Sequence, residues 1–273
     1  MEVPVLVVRP VSGSAPDAVL DALWQCDPLA VWERNDGALL ASFADAATLA
    51  EAHDTLAKRV DVAIEHHDDG LDAWRAHATV TRVDDTVVIR PSWVPYEPGP
   101  GELVIDIEPG RAFGSGAHAT TVLCARRLVA LVRPGDRVLD VGCGSGVLAV
   151  LAARLGATVD ACDLDPAAIE ATAANAQANA VALGLRLGTL DGADGGFDVV
   201  VANLLAPILV GLAEPLRAAM APGGVLVVSG LLAGRWAHVA AALEPLVLDR
   251  IDEHDGWSAL TLRPGPEEPL SAR

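Results

Sequence analysis

Three glycines at alternate positions close the run Val138-Leu139-Asp140-Val141-Gly142-Cys143-Gly144-Ser145-Gly146. Apolar residues at helical spacing follow at once: Val147, Leu148, Val150, Leu151 and Leu155. A strand, a glycine turn and a new helix in that order let a ligand come close to the backbone and offer N–H groups to an anion. Asp163 ends the next apolar run, 21 residues after Gly142. At that separation a carboxylate can bridge two ribose hydroxyls. A third polar residue, Asn203, follows the apolar stretch 199–202 and opens Asn203-Leu204-Leu205-Ala206-Pro207. An asparagine at the carboxyl end of a strand can accept a hydrogen bond from an amine N–H and so aim the nitrogen lone pair. These residue types suit a nucleoside-bearing cofactor facing a nitrogen nucleophile.

A dinucleotide fingerprint has the form G-x-G-x-x-G. The loop here is one residue tighter, and Asp140 stands two residues before its first glycine. That combination suits S-adenosylmethionine, whose methionyl carboxylate can take loop N–H groups while Asp140 orients the ammonium. Asp140 as a plain helix-terminus carboxylate is the competing reading, and the placement of Asp163 weighs against it. An asparagine after a strand is most often a turn former or a helix cap. Asn203 rises above that reading because the glycine loop and Asp163 share its sheet edge. Methyl transfer is an in-line displacement, so positioning is most of the task.

These residues require a parallel sheet to carry them. The pattern predicts strands at 138–141, 158–163, 185–190, 199–202 and 225–229, with helices at 145–155, 166–181 and 206–220. Near-continuous apolar strands alternating with helices give a sheet covered on both faces. Two last strands, near 246–251 and 258–262, close one edge. Ahead of this domain, residues 1–67 read as βαββαβ: a strand at 3–8, a helix at 16–26, strands at 30–34 and 38–43, a helix at 46–59 and a strand at 60–65. The turn Asn35-Asp36-Gly37 is the hairpin signal between the middle strands. That order is ferredoxin-like, a fold open to many functions. His66-His67-Asp68-Asp69-Gly70 reads as a solvated linker; adjacent histidines point apart in a strand or loop, so no metal is expected. Residues 68–101 are read as a linker with a short helix at 71–78 and a strand at 86–90, 102–264 as the cofactor domain, and 265–273 as a frayed tail.

Composition bounds the partners. A chain of 273 residues that is 52% hydrophobic has ample core, and its formal charge of −18 argues against a broad nucleic-acid surface. The acidity fits a cationic partner and fits simple solubility about equally. Cys26, Cys124, Cys143 and Cys162 have neither metal nor disulfide spacing and read as packing residues in a reducing compartment. No basic signal region opens the chain, and the longest apolar stretch, 199–213, is too short for a bilayer. The expectation is a soluble cytoplasmic protein with no membrane partner.

The stretch Glu108-Pro109-Gly110-Arg111-Ala112-Phe113-Gly114-Ser115-Gly116-Ala117-His118-Ala119-Thr120-Thr121 resembles the entry motif of the ribosomal protein methyltransferase A (PrmA) family. The resemblance continues through Val88-Ile89-Arg90-Pro91-Ser92-Trp93, the glycine loop, Asp163-Leu164-Asp165-Pro166, Ala202-Asn203-Leu204-Leu205-Ala206, Ser229-Gly230-Leu231-Leu232 and Gly256-Trp257. It implies an α/β class I methyltransferase fold, with a Rossmann-like, seven-stranded, mostly parallel sheet behind an N-terminal ferredoxin-like substrate-recognition domain. It implies cofactor contacts at Thr121, Gly142, Asp163 and Asn203, with Asp140 and Gly144 beside them. A covering loop at 113–121 would add Phe113 and Gly114. The implied substrate is large-subunit ribosomal protein eleven, methylated on lysine side chains and its N-terminal amine. The chain departs from the family with Ser115 for threonine, Ala119 for proline and Ala180 for glycine.

A lysine ammonium, with a pKa of ~10.4, has no lone pair and cannot attack until it loses its proton. No dedicated base stands out. Desolvation at the Asn203 mouth is the expected way to lower the amine pKa, with His118 as the runner-up base. Trp93 and Tyr96 could line an amine channel, but packing is the preferred reading. Asn203-Leu204-Leu205-Ala206 differs from the Asn-Pro-Pro-Tyr of glutamine-directed enzymes of this class. The alternatives are a same-fold enzyme acting on another protein or a small amine, a nicotinamide-dependent oxidoreductase, and a non-catalytic docking module.

Overall fold

The computed structural model describes residues 2–9, 19, 22–23, 25–26, 28, 30–33, 38–43, 46–58, 60–68, 78–108, 116–190 and 195–265. Its contacts divide the chain into two units, Met1–His77 and Ala78–Arg273. In the first unit four strands, β1 (Glu2–Arg9), β2 (Ala30–Glu33), β3 (Leu39–Ser42) and β4 (Asp61–Asp68), form an antiparallel sheet in the order β2-β3-β1-β4. Helix α1 (Ala46–Leu56) precedes β4, and Val19, Ala22 and Leu23 are helical. Side chains alternate along a strand, so Leu6 and Val8 of β1 share one face. They cluster there with Val19, Leu23, Leu49, Ala52 and Leu56. Two helical segments on one face of a sheet with this strand order are the ferredoxin-like arrangement. The remainder of the predicted first helix and the turn at 35–37 lie outside the described residues.

His66, His67 and Asp68 are not linker. The backbone of β4 continues through them, pairing His66 with Pro4, His67 with Val3 and Asp68 with Glu2. Polar composition suggested a break, but β1 supplies a partner along its whole length, and ladder pairing decides where the strand ends. The predicted helix at 71–78 lies almost wholly outside the described residues. Residues 78–101 are not linker either. They carry β5 (Thr81–Arg82) and β6 (Val87–Pro91), which with β7 (Leu103–Ile107) form a three-stranded sheet. Val83, Val87, Ile89, Ile105 and Ile107 are buried in the same cluster as Val138, Val147 and Leu151. The small sheet is therefore an integral part of the second unit.

The large sheet is built from β8 (Arg137–Val141), β9 (Thr158–Asp163), β10 (Gly184–Leu187), β11 (Phe197–Asn203), β12 (Met220–Leu232), β13 (Leu246–His254) and β14 (Trp257–Pro264). Its order is β10-β9-β8-β11-β12-β14-β13, and β14 alone runs against its neighbours. The helices are α2 (Ala119–Leu131), α3 (Val147–Arg154), α4 (Pro166–Ala178), α5 (Ala206–Gly211), α6 (Ala213–Ala219) and α7 (Ala237–Ala242). Two cores follow from this layering. One joins Leu128, Val138, Val150, Leu151 and Val201; the other joins Leu139, Phe197, Val200, Leu209, Leu216 and Leu260. Among the described residues, no helix is long and apolar enough to cross a membrane.

Three boundaries differ from the sequence pattern for local reasons. The predicted helix 206–220 is two helices meeting at Leu212. Pro215 has no N–H to offer the carbonyl of Gly211, so the turn there cannot continue. Strand β10 stops at Leu187, because Gly188 leaves the extended backbone with φ 136°. Helix α4 stops at Ala178, and Ala180 then adopts a left-handed backbone with φ 55°. That conformation suits glycine; a Cβ is strained in it. Ala180→Gly is expected to raise stability by about 1 kcal/mol, read as a Tm increase of about 2–4 °C. An unchanged or lower Tm would count against strain at this residue.

Candidate active site

The order of the large sheet creates one crevice. From β8 the chain runs to β9 and β10 on one side; β11 and β12 lie on the other side of β8. Connections therefore diverge where β8 and β11 end side by side, the place where open α/β sheets bind ligands. Pairing of Ala202 with Val141 puts the glycine loop and Asn203 at adjacent strand ends. Asp163 ends β9, the strand on the other side of β8.

The loop is held through its main chain. The N–H groups of Gly142 and Cys143 both donate to the Cys162 carbonyl, at 2.9 and 3.1 Å. Gly144 N–H donates to Asp163 Oδ2 at 2.9 Å, and Gly146 N–H to the Cys143 carbonyl at 2.8 Å. Gly142 has φ +74°, and a Cβ there would run into the Leu204 side chain. The loop thus lies directly against the turn that follows Asn203, and only glycine fits. Asp163 Oδ1 takes the Asp165 N–H at 3.0 Å, so each carboxylate oxygen is aimed by one main-chain donor. Each retains lone-pair capacity for a hydroxyl.

Asn203 is half-buried at the end of β11, and its Nδ2 donates to Thr121 Oγ1 at 3.4 Å. Thr121, in the first turn of α2, is 1% exposed. With Nδ2 committed to Thr121, Oδ1 is the group left to accept from an incoming donor. The turn itself is pinned: Leu204 N–H donates to the Ser229 carbonyl at 3.1 Å, and a Cβ on Gly230 would meet the Leu204 carbonyl oxygen.

Asp140 sits deeper. It is 1% exposed, and its Oδ2 accepts the Ala149 N–H of α3 at 3.0 Å. The helix-terminus role that the sequence reading set aside is the one the geometry displays. A carboxylate buried below the loop is a support for that loop, and no contact places it at the mouth. His118 also serves a helix end. It is the N-cap of α2, with Nδ1 3.4 Å from Thr120 N and 2.8 Å from Thr120 Oγ1. Its ring stands edge-on to Trp257 at 5.1 Å, and burial lowers its pKa. Capping and packing therefore account for His118 without a base role. Tyr96 belongs to the small sheet's surface, donating to Glu102 at 2.6 Å and accepting from Arg82 at 3.2 Å.

Thr121, Gly142, Gly144, Asp163 and Asn203 are thus brought to one sheet edge, with Asp140 beneath. Phe113 and Gly114 lie outside the described residues. Sequence reasoning missed Thr172, Asn175 and Asn179 of the α4 region. Thr172 Oγ1 donates to the Gly144 carbonyl at 3.0 Å, and Asn175 Nδ2 to the Ser145 carbonyl at 2.8 Å. Their signal was a polar stripe at helical spacing in a segment otherwise rich in alanine.

Residues 29–264 match the family described as "Ribosomal protein L11 methyltransferase (PrmA)". A ribosomal protein L11 methyltransferase of Symbiobacterium thermophilum is 46% identical over 197 residues, covering 71% of this chain and 65% of that protein. One from Pelotomaculum thermopropionicum is 43% identical over 224 residues, covering 80% and 73%. The match thus spans just under two thirds of the first relative's length. Among solved structures, a ribosomal protein L11 methylase of Lactobacillus delbrueckii subsp. bulgaricus superposes with a TM-score of 0.64 at 31% identity. That superposition covers 69% of this chain and all of the other.

Burial pushes the Asp140 carboxyl up to about 7; the Ala149 N–H pulls against that rise and the charge of Asp163 adds to it. An unfolded aspartate has a pKa of ~3.9, so between about pH 4 and 7 the folded chain keeps a proton that the unfolded chain releases. This group's contribution to stability therefore falls as pH rises through that window and levels off above it. Asp140→Asn removes the dependence. The wild-type Tm minus the variant Tm is expected to be more positive near about pH 5 than near about pH 8. A pH-independent difference would show that Asp140 titrates normally.

Proposed function

The chain belongs to the ribosomal protein L11 methyltransferase (PrmA) family, and from that premise we propose that it transfers methyl groups from S-adenosylmethionine to amines of ribosomal protein L11. The observation that carries the reading is the junction of β8 and β11. There a loop that only glycine fits, tied by its main chain to Asp163, meets an asparagine braced by Thr121.

The residues present suit the cofactor. Asp163 offers a carboxylate, already oriented by two N–H donors, to ribose hydroxyls. The glycine loop opens α3, where main-chain donors favour the methionyl carboxylate. Bound there, S-adenosylmethionine supplies an electrophilic methyl group on a sulfonium. The chain's own contribution is to orient the nucleophile. Asn203 Oδ1 accepts one N–H of the incoming amine, and a nearby main-chain carbonyl takes another. Two fixed acceptors leave the nitrogen lone pair one direction. The amine arrives as an ammonium with a pKa of ~10.4 and loses its proton to water as the crevice desolvates it, since burial disfavours the charged form.

Lysine side chains and the N-terminal amine of the substrate share this chemistry. Residues 1–67, with the rest of the first unit, hold the protein substrate, while the second unit performs transfer. With 37 acidic against 19 basic residues, the chain suits a basic protein and neither requires nucleic acid nor a membrane. Its place of action is the cytoplasm, where ribosomal proteins are assembled.

A thermal-shift comparison tests the cofactor class: S-adenosylmethionine and S-adenosylhomocysteine should raise Tm, and NAD should not. Mass spectrometry of purified ribosomal protein L11 after incubation tests the substrate. Asn203→Ala should lower kcat by about 100-fold or more while cofactor Kd changes little. Asp163→Ala should raise cofactor Kd by about 10- to 100-fold. Turnover that survives Asn203→Ala would overturn the assignment of that residue.

A further inference from the structure

One buried side chain joins the glycine loop to the end of β7. Asn175 is 2% exposed on α4. Its Nδ2 donates to the Ser145 carbonyl at 2.8 Å and to the Glu108 carbonyl at 3.0 Å, while its Oδ1 accepts the Glu108 N–H at 2.9 Å. Ser145 belongs to the glycine loop; Glu108 immediately follows β7 and precedes the segment leading to α2. One turn further along, Asn179 makes a comparable clamp, its Nδ2 and Oδ1 binding the carbonyl and N–H of Asp106 at 2.6 and 2.9 Å. Asn179 Nδ2 also donates to the Asn175 carbonyl at 2.8 Å, inside the helix end; no bond from its side chain reaches the loop among those described.

The bond to Ser145 has a directional consequence. In a trans peptide the C=O and N–H point in opposite directions. With the Ser145 carbonyl held toward α4, the Gly146 N–H is turned away and reaches the Cys143 carbonyl at 2.8 Å. Thr172 holds the preceding carbonyl, that of Gly144, in the same direction at 3.0 Å. Successive peptide planes of the loop are therefore set by side chains of α4. The same loop presents the Gly144 N–H to Asp163 Oδ2.

We propose that Asn175 is a positioning residue for the cofactor: its amide locks the peptide planes of the glycine loop to the end of β7, so that loop donors and Asp163 are already set before a ligand binds. The proposal rests on reading the loop as the S-adenosylmethionine site. Asn179 makes it testable, because it has the same chemistry, burial and helix but no hold on the loop.

Asn175→Ala and Asn179→Ala are to be made in the full chain and compared in three measurements: Tm without ligand, S-adenosylhomocysteine Kd by calorimetry, and hydrogen exchange at the amides of 142–146. Both variants should lower Tm. Asn175→Ala alone should raise Kd by about tenfold or more and speed exchange in the loop, whereas Asn179→Ala should leave both within about twofold of wild type. If Asn175→Ala does not fold, Asn175→Asp replaces it. That variant keeps an acceptor for the Glu108 N–H but sets a carboxylate against two carbonyls, so the same Kd and exchange changes are expected. Equal Kd and equal loop exchange in the two asparagine variants would overturn the proposal. Failure of the wild type to bind S-adenosylhomocysteine would instead overturn the cofactor reading, and the exchange comparison would still decide the role of Asn175 in ordering the loop.

Discussion

The parallel pairing of β8 with β11 is the constraint from which the rest follows. Val138, Leu139, Asp140 and Val141 face Val199 to Ala202 residue for residue. That register brings the first residue after β8, Gly142, beside the last residue of β11, Asn203. A slip of one position would turn every side chain of β11 to the opposite face and send Val200 and Val201 each into the other's core. The geometry of the crevice is therefore secured by hydrophobic burial. Val201 belongs to one core and Val200 to the other, so both faces of the strand resist the slip.

A crevice at strand ends has to be polar, yet it grows out of an apolar core. The chain meets this conflict by using buried polar side chains to satisfy main-chain groups. Asp140 takes an N–H of α3, Thr172 and Asn175 bind loop carbonyls, and Ser229 Oγ donates to the Ser258 carbonyl at 2.9 Å. Leaving such groups unpaired away from water would cost about 1–3 kcal/mol each. The price of satisfying them is rigidity, which suits a site whose task is alignment.

The parts legible in the sequence were those with a strong one-dimensional pattern. Strands β8, β9 and β11 are largely apolar runs, three glycines at alternate positions follow the first of them, and Asp163 and Asn203 stand out at the ends of the other two. The parts that were missed depend on partners distant in sequence. Polar residues at the end of β4 remain strand because β1 lies alongside. The 78–101 stretch was read as a linker carrying one strand at 86–90; that strand is present as β6, and what the reading lacked was its sheet, because the parallel partner β7 begins only at Leu103. Thr172, Asn175 and Asn179 could be seen as a stripe, but a stripe on a helix does not reveal that its neighbour is a loop needing acceptors fixed. Asp140 shows the converse. Its position pointed to a ligand, and only burial and the Ala149 N–H reveal a support for α3.

Asp140 and Asp163 come from neighbouring strands, and their surroundings divide the work between them. Asp140 is enclosed, and the charge of Asp163 adds to the rise in its pKa. Asp163 stays half-buried, held by N–H groups from the loop and from the turn before α4. Burial first, and the neighbouring charge after it, favour a proton retained on Asp140. The outward carboxylate is the one that can meet hydroxyls, and the enclosed one keeps α3 and the loop in register with β8. The two roles are set by depth below the sheet edge, and that depth follows from a single feature of the chain: Asp140 lies within its strand, whereas Asp163 lies at the end of its own.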